Sequence, residues 1–431
     1  MRFFIILISS IFVLGCAHQP FDKNLSGPVA AKSKRVKSPA RVVVRTNPRH
    51  PSDEAPAKVS ERMYCSGERC FVRYSRPILR PARDPLPEVG GSPAPPIKGV
   101  VRVYFSTNRK IKDGAPLTVS QITYERSTSP TFGLLDVSIP GIHRLGLVER
   151  PQMRFFGLIQ ESEGANKHFM VQSISTLTRE AFVSQLKGSD SVMVFVHGYN
   201  VSFQDAAFRA AQIAWDVHYK GRVVIFSWPS KAGMLKYDYD RESALLSSDY
   251  LFDLLKLVTQ ETDAKKVVVI AHSLGSEVTI GALQQAALTG TKLGLSELIF
   301  AASDVSGDLY KQRAEQIKAS AEKVTLYASS KDWALRVSIG KSGSTNRMGY
   351  VRDGVGPVLV DGVETIDMSA VGAYMFDLNH STFATSRAVI DDVGRIITTG
   401  GHPPRSRMPT LDAMPTEDAT TWWRYPVSGE D

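Results

Sequence analysis

The sequence predicts an α/β fold in which helices cover both faces of a mostly parallel sheet. Two observations carry this prediction. After residue 190, apolar runs of four or five residues alternate with helix-length amphipathic stretches. Such runs suit parallel strands buried on both faces, and repeated strand–helix–strand order is typical of a parallel sheet. The composition, 43% hydrophobic and 22% charged, is that of a globular protein.

The strands and helices can be assigned in chain order. Opening strands are predicted at 101–105, 133–139 and 169–174. The strands of the parallel sheet follow at 192–196, 223–226, 267–270, 298–301, 324–327 and 365–368. Helices are predicted where apolar residues recur at helical spacing, at 203–217, 244–259, 276–288 and 386–397.

Residues 1–16 are predicted to be a secretion signal. The apolar run from Phe3 to Leu14 is too short to span a bilayer and is followed by Gly15 and Cys16. A small residue directly before cysteine resembles the lipobox of bacterial lipoproteins, which implies cleavage before Cys16 and a lipid anchor on its thiol. Ala17, in place of Asp, favours the outer membrane of a Gram-negative cell, facing the periplasm. The alternative is an ordinary secretory signal with an incidental cysteine.

Residues 17–100 are predicted to form a flexible, disordered linker. They hold 13 of the 24 prolines and few periodic apolar stretches, so they cannot bury enough surface to fold compactly. They also carry 16 Lys and Arg against 7 Asp and Glu, a surplus equal to the formal charge of +9. A basic linker of this kind can touch anionic lipid headgroups or remain solvated. The remainder is close to neutral, which argues against a nucleic-acid partner.

Two cysteines, Cys65 and Cys70, lie in this linker. In an oxidising periplasm they could close a small disulfide loop, and two free thiols are the alternative. A metal site is a weaker interpretation, because two thiols supply only half of the ligands of a zinc ion. A short strand-like run at 70–74 is expected to be ordered if the disulfide forms.

The folded domain is predicted to span residues 101–399. Residues 400–431, which are rich in Gly and Pro, are predicted to be a C-terminal tail in which Trp422 and Trp423 could still dock on the domain.

The strongest motif is a small-x-Ser-x-Gly turn between the strand at 267–270 and the following helix. Small residues at Ala271 and Gly275 allow a tight turn that lifts the hydroxyl of Ser273 above the edge of the sheet, as a nucleophile elbow requires. The neighbouring His272 is expected to pack or to orient the loop, because adjacent side chains on a turn point apart.

A second motif, His197-Gly198-Tyr199, follows the strand at 192–196. This is where a hydrolase with such an elbow places the second donor of its oxyanion hole. The N–H groups of Tyr199 and Leu274 are therefore predicted to stabilise the oxyanion of a tetrahedral intermediate. The alternative is that His197 and Gly198 simply form a turn that ends the strand.

These motifs, together with three others, resemble a family of uncharacterised bacterial α/β hydrolases known as the domain of unknown function 900. The other three are Phe105-Ser106-Thr107-Asn108-Arg109, Phe132-Gly133 with Val137-Ser138-Ile139-Pro140, and Phe226-Ser227-Trp228-Pro229-Ser230. The resemblance runs from about residue 100 to residue 398. It implies the α/β-hydrolase fold and its catalytic machinery, and it implies no substrate.

A serine nucleophile needs a base and an acid, which follow it in this fold in the order acid, then histidine. Of the two later histidines, His402 lies in the predicted tail, so His380, ahead of a predicted helix, is the expected base. Asp332, after the strand at 324–327, is the expected acid. Asp304, after the preceding strand, is the alternative.

The resulting hypothesis is a membrane-anchored serine hydrolase that cleaves an ester through an acyl-enzyme on Ser273. The substrate would be a small-molecule or lipid ester, with a thioester or amide as further options. The motifs call for no cofactor and no metal. The alternative is a non-catalytic binding or scaffold protein of the envelope that retains the fold. Four cations between residues 333 and 363 are interpreted as solvated, with binding of an anionic substrate as the alternative: Arg336, Lys341, Arg347 and Arg352.

Overall fold

The structure, a computed structural model, describes residues 60–66, 69–75, 97–151, 153–154, 159–231, 233, 236–331, 335, 339, 346–371, 383–417 and 420–426. They belong to two units, residues 1–86 and 87–431. In the first unit, strand β1 (Ser60–Ser66) pairs antiparallel with β2 (Arg69–Ser75), and Cys65 lies opposite Cys70. The linker predicted over 17–100 therefore contains a paired segment longer than the short strand expected near Cys70.

The second unit contains the remaining strands. In chain order they are β3 (Gly99–Ile111), β4 (Ile122–Ile139), β5 (Met153–Arg154), β6 (Ile159–Gln160), β7 (Met170–Leu177), β8 (Ser191–Val196), β9 (Arg222–Ser227), β10 (Lys266–His272), β11 (Leu295–Ala301), β12 (Ala321–Ala328), β13 (Glu364–Asp367), β14 (Asp412–Pro415) and β15 (Thr421–Arg424). Strands β5 and β6 form a separate pair. The others form one sheet in the order β14-β15-β13-β12-β11-β10-β8-β9-β3-β4-β7.

The described helices follow the strands in regular alternation. They are α1 (Arg179–Leu186), α2 (Phe203–Asp216), α3 (Tyr237–Glu261), α4 (Gly275–Leu288), α5 (Gly307–Gln312), α6 (Ala314–Ser320), α7 (Phe383–Thr399) and α8 (Pro404–Arg407). Helix α2 begins where the Ser202 side chain accepts a hydrogen bond from the N–H of Asp205. None of the helices that the structure describes is both long and apolar enough to cross a bilayer.

The sheet is parallel through its centre, from β15 to β3, and antiparallel at both edges. Alternate residues of its central strands enter two different apolar clusters, as Val194 and Phe195 do on β8. Leu255 of α3 belongs to one cluster and Phe208 of α2 to the other, so helices cover both faces. The predicted α/β class is confirmed.

The C-terminal segment corrects the prediction of a tail over 400–431. Strand β15 pairs in parallel with β13, Trp423 lies opposite Ile366, and Trp422 is buried. Backbone groups at the edge of β13 need partners, and the two tryptophans supply apolar surface to cover that edge. The described residues beyond 399 are therefore part of the folded unit.

The carboxyl ends of the parallel strands lie along one side of the sheet, and a fold of this class carries its site there. The elbow follows β10 there, the His197 loop follows β8, and Asp304 follows β11.

Candidate active site

Ser273 lies in a sharp turn between β10 and α4. Its φ angle is +51°, in the left-handed region, which costs a residue with a side chain about 1–2 kcal/mol. The turn is held by its backbone: the Ser273 N–H donates to the carbonyl of Ala301 at 3.0 Å, and the Ser273 carbonyl accepts from the N–H of Asp304 at 3.2 Å. A strained residue fixed in this way at a strand–helix junction has the geometry of a nucleophile elbow.

Two glycines permit the close packing around this turn. A Cβ atom on Gly275 would lie 2.4 Å from the carbonyl oxygen of His197, so α4 can approach the end of β8 only because that atom is missing. A Cβ atom on Gly198 would lie 2.7 Å from the Cβ of Ser273. The loop after β8 therefore lies against the side chain of the serine.

The predicted oxyanion donors both lie at this contact. The Tyr199 N–H belongs to the peptide that follows Gly198, and Leu274 directly precedes the first residue of α4, at the positive end of the helix dipole. Within the described part of the chain, neither N–H group has a hydrogen-bond acceptor. The Tyr199 hydroxyl donates to the carbonyl of Gly233 at 3.0 Å, and its ring packs edge-on against Tyr237.

A buried arginine, Arg109 of β3, lies beneath the loops that follow β8 and β9. Its guanidinium donates to the carbonyls of Val201 at 3.0 Å and Ser230 at 2.9 Å, and to the hydroxyl of Ser227 at 2.9 Å. Burial lowers the pKa of Arg109 to about 9, although the negative charge of Asp240 acts to raise it. The guanidinium is therefore protonated at neutral pH. One cation thus joins both loops.

His197 occupies the space between Arg109 and the Gly198 peptide. Its Nδ1 lies 2.9 Å from the carbonyl oxygen of Gly198, and its Nε2 lies 3.4 Å from the Ser227 hydroxyl and 3.5 Å from Nη2 of Arg109. The Trp228 ring stacks on the imidazole with centroids 4.9 Å apart, and the indole N–H donates to the His197 carbonyl at 2.7 Å. Burial, with the charge of Arg109, lowers the pKa of His197 well below its usual value.

The other side of the loop is held by Asp240 of α3, which is completely buried. Its carboxylate accepts from the N–H of Asn200 at 3.2 Å, from the hydroxyl of Ser230 at 2.5 Å and from the N–H of Lys231 at 2.7 Å. Asn200 has a φ angle of +60°. The peptide groups on both sides of Tyr199 are therefore anchored to buried side chains.

Asp304, the alternative acid, lies beside the elbow and is 4% exposed. One carboxylate oxygen accepts from the Tyr237 hydroxyl at 2.8 Å, and the other lies 3.6 Å from Nε of Arg347. Arg347 is buried, which corrects its interpretation as a solvated loop cation. Burial also raises the pKa of Glu277 in the first turn of α4, against the opposing charge of Arg241.

Two further histidines can be assigned from their surroundings. His272 faces Gly198, and burial together with the charge of Arg209 lowers its pKa to about 3, so it is neutral. His402 lies between Glu364 and Glu297, near the amino ends of β13 and β11. His402 is therefore part of the folded unit and not of a tail. Ser273 follows the carboxyl end of β10, so the two residues lie at opposite ends of the parallel strands.

The structure brings together four of the predicted site residues, Ser273, Leu274, Tyr199 and Asp304. The predicted base His380, the preferred acid Asp332 and the lipidation site Cys16 lie outside the described residues. Among the residues that are described, no group of three or more His, Cys, Asp or Glu side chains is arranged to hold a metal ion.

The buried polar groups beneath the loop, Arg109 and Asp240, were not among the predicted site residues. Arg109 lies beyond the strand predicted at 101–105, although strand β3 extends to Ile111 and buries it. Asp240 left no signal in the sequence, because it lies in the charged first turn of a helix and looks like an ordinary exposed residue.

Comparison with protein-family models gives one match. The model described as an alpha/beta hydrolase of unknown function (DUF900) matches residues 175–399, more than half of the 431-residue chain. This confirms the resemblance over those residues. No curated protein matches the chain.

Three solved esterase structures show a distant likeness. An esterase of Pyrobaculum calidifontis is 10% identical, with 71% of this chain and 87% of that chain covered and a TM-score of 0.31. Esterase 2 of Thermogutta terrifontis, phosphonylated by sarin, is 10% identical over 51% of this chain and 87% of that chain, with a TM-score of 0.28. A fungal esterase of Rhizomucor miehei is 11% identical, with 70% of this chain and 84% of that chain covered and a TM-score of 0.29. At these values the likeness carries no argument about activity.

Proposed function

Because the chain belongs to the family of alpha/beta hydrolases of unknown function (DUF900), we propose that it is a serine hydrolase that cleaves a carboxylic ester through an acyl-enzyme on Ser273. The observation that carries the proposal is the turn at Ser273. This residue has a strained backbone between a buried strand and a helix, and the loop that contains Gly198 lies against its side chain. Strain at a serine placed between a strand and a helix is typical of a nucleophile elbow.

In the first half of the reaction, the Ser273 hydroxyl attacks the carbonyl carbon of the ester. His380 takes the hydroxyl proton as the new C–O bond forms, and Asp332, or alternatively Asp304, holds the imidazole and stabilises its positive charge. The N–H groups of Tyr199 and Leu274 donate to the oxyanion of the tetrahedral intermediate.

The intermediate collapses when the bond to the alcohol breaks and His380 returns the proton to the leaving oxygen. Water then repeats the sequence: His380 takes its proton, the hydroxide attacks the acyl carbon, and Ser273 leaves with the proton restored. The products are an acid and an alcohol. A thioester or an amide would follow the same course with a thiol or an amine as the leaving group.

The test is labelling of the full chain, solubilised in detergent, with a fluorophosphonate probe, followed by mapping of the adduct by mass spectrometry. Labelling at Ser273 that is lost in Ser273→Ala and His380→Ala would support the proposal. Of the two variants Asp332→Ala and Asp304→Ala, the one that loses more of the labelling at Ser273 identifies the acid. Ser184→Ala, an exposed serine on α1, is the matched control and should label fully.

The competing hypothesis is the binding or scaffold protein that keeps the fold without turnover. A folded wild-type chain that stays unlabelled, or carries its adduct elsewhere than Ser273, would favour that hypothesis. A panel of small-molecule and lipid esters then defines the substrate, with hydrolysis measured for each by release of the acid.

The proposal extends to location: the chain is held at a bacterial envelope membrane, the outer membrane on the periplasmic side, by a lipid on Cys16. Several acyl chains on one residue would anchor stably, since each buried CH₂ contributes about 0.8 kcal/mol. Growth with an alkyne analogue of palmitate should label the wild type and a Cys65→Ser/Cys70→Ser control. Persistence of the label in Cys16→Ser would contradict the assignment.

A further inference from the structure

We propose that His197 is a positioning residue for the oxyanion hole, and that Arg109 acts through it by fixing which ring nitrogen carries the proton. The inference rests on the proposed function, because it concerns the Tyr199 N–H that would stabilise the oxyanion. It assigns a role to the one buried histidine that lies between the arginine and the catalytic loop.

The first step concerns the proton on the imidazole. A carbonyl oxygen can only accept a hydrogen bond, so the 2.9 Å contact between Nδ1 and the oxygen of Gly198 requires a proton on Nδ1. The environment keeps the ring neutral, so Nε2 carries a lone pair. That lone pair faces the guanidinium of Arg109 and the hydroxyl of Ser227, and a guanidinium can only donate.

The second step concerns the peptide bond between Gly198 and Tyr199. Its carbonyl and its N–H belong to one planar trans unit, so they point in opposite directions. When Nδ1 of His197 holds the carbonyl on one side, the Tyr199 N–H must point to the other. Asp240 holds the following peptide at the Asn200 N–H, so both peptides that flank Tyr199 are hydrogen-bonded to buried side chains.

The third step concerns the ring itself. Trp228 stacks on the imidazole at an interplanar angle of 14° and also binds the His197 backbone, so the ring cannot rotate to present the other nitrogen. The opposite tautomer would place an N–H against the arginine cation and leave the Gly198 carbonyl without its donor. Both changes are unfavourable in a buried site.

The tautomer can be measured without reference to activity. In the full chain labelled with ¹⁵N-histidine, a long-range ¹H–¹⁵N spectrum should show the His197 ring with a protonated Nδ1 and an unprotonated Nε2, unchanged between about pH 5 and 8. The ring signals that are missing from the spectrum of His197→Asn are those of His197. A protonated Nε2, or titration of the ring in this range, would overturn the proposal.

Kinetics of ester hydrolysis supply the second measurement, through two variants that differ in the position of one amide. The amide nitrogen of Asn is as many bonds from Cα as Nδ1, whereas that of Gln matches Nε2. We expect His197→Asn to retain most of the activity. His197→Gln should lose roughly 100-fold in kcat with KM unchanged, which is the loss typical of one missing oxyanion donor.

The controls separate this inference from the proposed function. His218→Asn makes the same substitution at an exposed histidine, and it should behave like the wild type in kcat and in thermal unfolding. Equal kcat values in folded His197→Gln and His197→Asn would contradict the positioning role. A wild type without any hydrolase activity would instead contradict the proposed function, and the tautomer measurement would still stand.

Discussion

Arg109 and Arg407 are equally buried, at 2% exposure, yet they are stabilised in different ways. Arg407 forms ion pairs with Asp392 at 2.9 Å and Glu364 at 3.1 Å, and these outweigh burial and raise its pKa. Within the described chain, Arg109 forms no ion pair. Its partners are carbonyl and hydroxyl oxygens and Nε2 of His197, and burial lowers its pKa.

The difference shows what each cation can do for its surroundings. A charge neutralised by two carboxylates acts mainly as a clamp, and Arg407 clamps the segment after α7 onto the sheet. A charge bound by neutral acceptors is not cancelled by a paired carboxylate. The positive charge of Arg109 therefore acts on His197 and on the loop that carries Tyr199. The first arginine is therefore expected to matter most for stability and the second for activity.

The largest effect is expected for Arg407→Met. It leaves the fully buried carboxylate of Asp392 without its cation, and loss of one partner of a buried pair typically costs about 3–5 kcal/mol. The free energy of unfolding, measured with urea, should fall by that amount. A change no larger than that of Arg102→Gln, which breaks an exposed pair with Asp136, would contradict the comparison.

Next in size is a pH effect at His402. Burial opposes its protonation, but hydrogen bonds to Glu297 and Glu364 raise its pKa to about 9. A pKa raised on folding stabilises the fold fully below the unfolded value near 6.5, and this contribution is lost as pH rises through 9. The loss should reach up to about 3 kcal/mol between pH 6.5 and 10.

His143 must be separated from this effect, because its pKa is also raised to about 9: burial opposes its protonation, but the hydrogen bonds that its ring donates to Asp216 and Glu149 outweigh the burial. Unfolding measured from pH 6 to 10 should therefore show a reduced slope in His402→Gln and a further reduction when His143→Gln is added. An unchanged slope in both variants would mean that neither ring is protonated in the native state.

A smaller stability effect, with a larger effect on activity, is expected for Arg109→Met. Unlike Arg407→Met, the variant leaves no carboxylate without its cation, and water that enters the vacated space can donate to the neutral acceptors; each acceptor that stays unpaired costs about 1–3 kcal/mol. We expect fluorophosphonate labelling to slow more in Arg109→Met than in Arg407→Met at a temperature where both are folded. The reverse order would break the division of roles between the two arginines.

The periodicity of the sequence was enough to predict the parallel sheet, and the elbow motif was enough to place Ser273. Both depend on residues close together in the chain. Helix α3 begins at Tyr237, earlier than the predicted start at residue 244, because its first turns are polar and leave no apolar stripe.

What could not be predicted depends on contacts between distant residues. Strand β15 lies in a Gly- and Pro-rich stretch, and only the unpaired edge of β13 makes it a strand. Likewise Arg109 and Asp240 are 131 positions apart, and each is explained only by the loop that both support. Composition and local pattern carry no information on such pairs.

The pairing of β15 with β13 also sets the minimal folding unit. The family match ends at residue 399, but the strand that covers β13, the buried Trp422 and Arg407 all follow that position. A truncation at 399 would leave an open strand edge beside an unfilled apolar surface. Such an edge is a template for aggregation, so recombinant versions of the hydrolase domain need to include β15 and Tyr425, whose N–H donates to the carbonyl of Asp367.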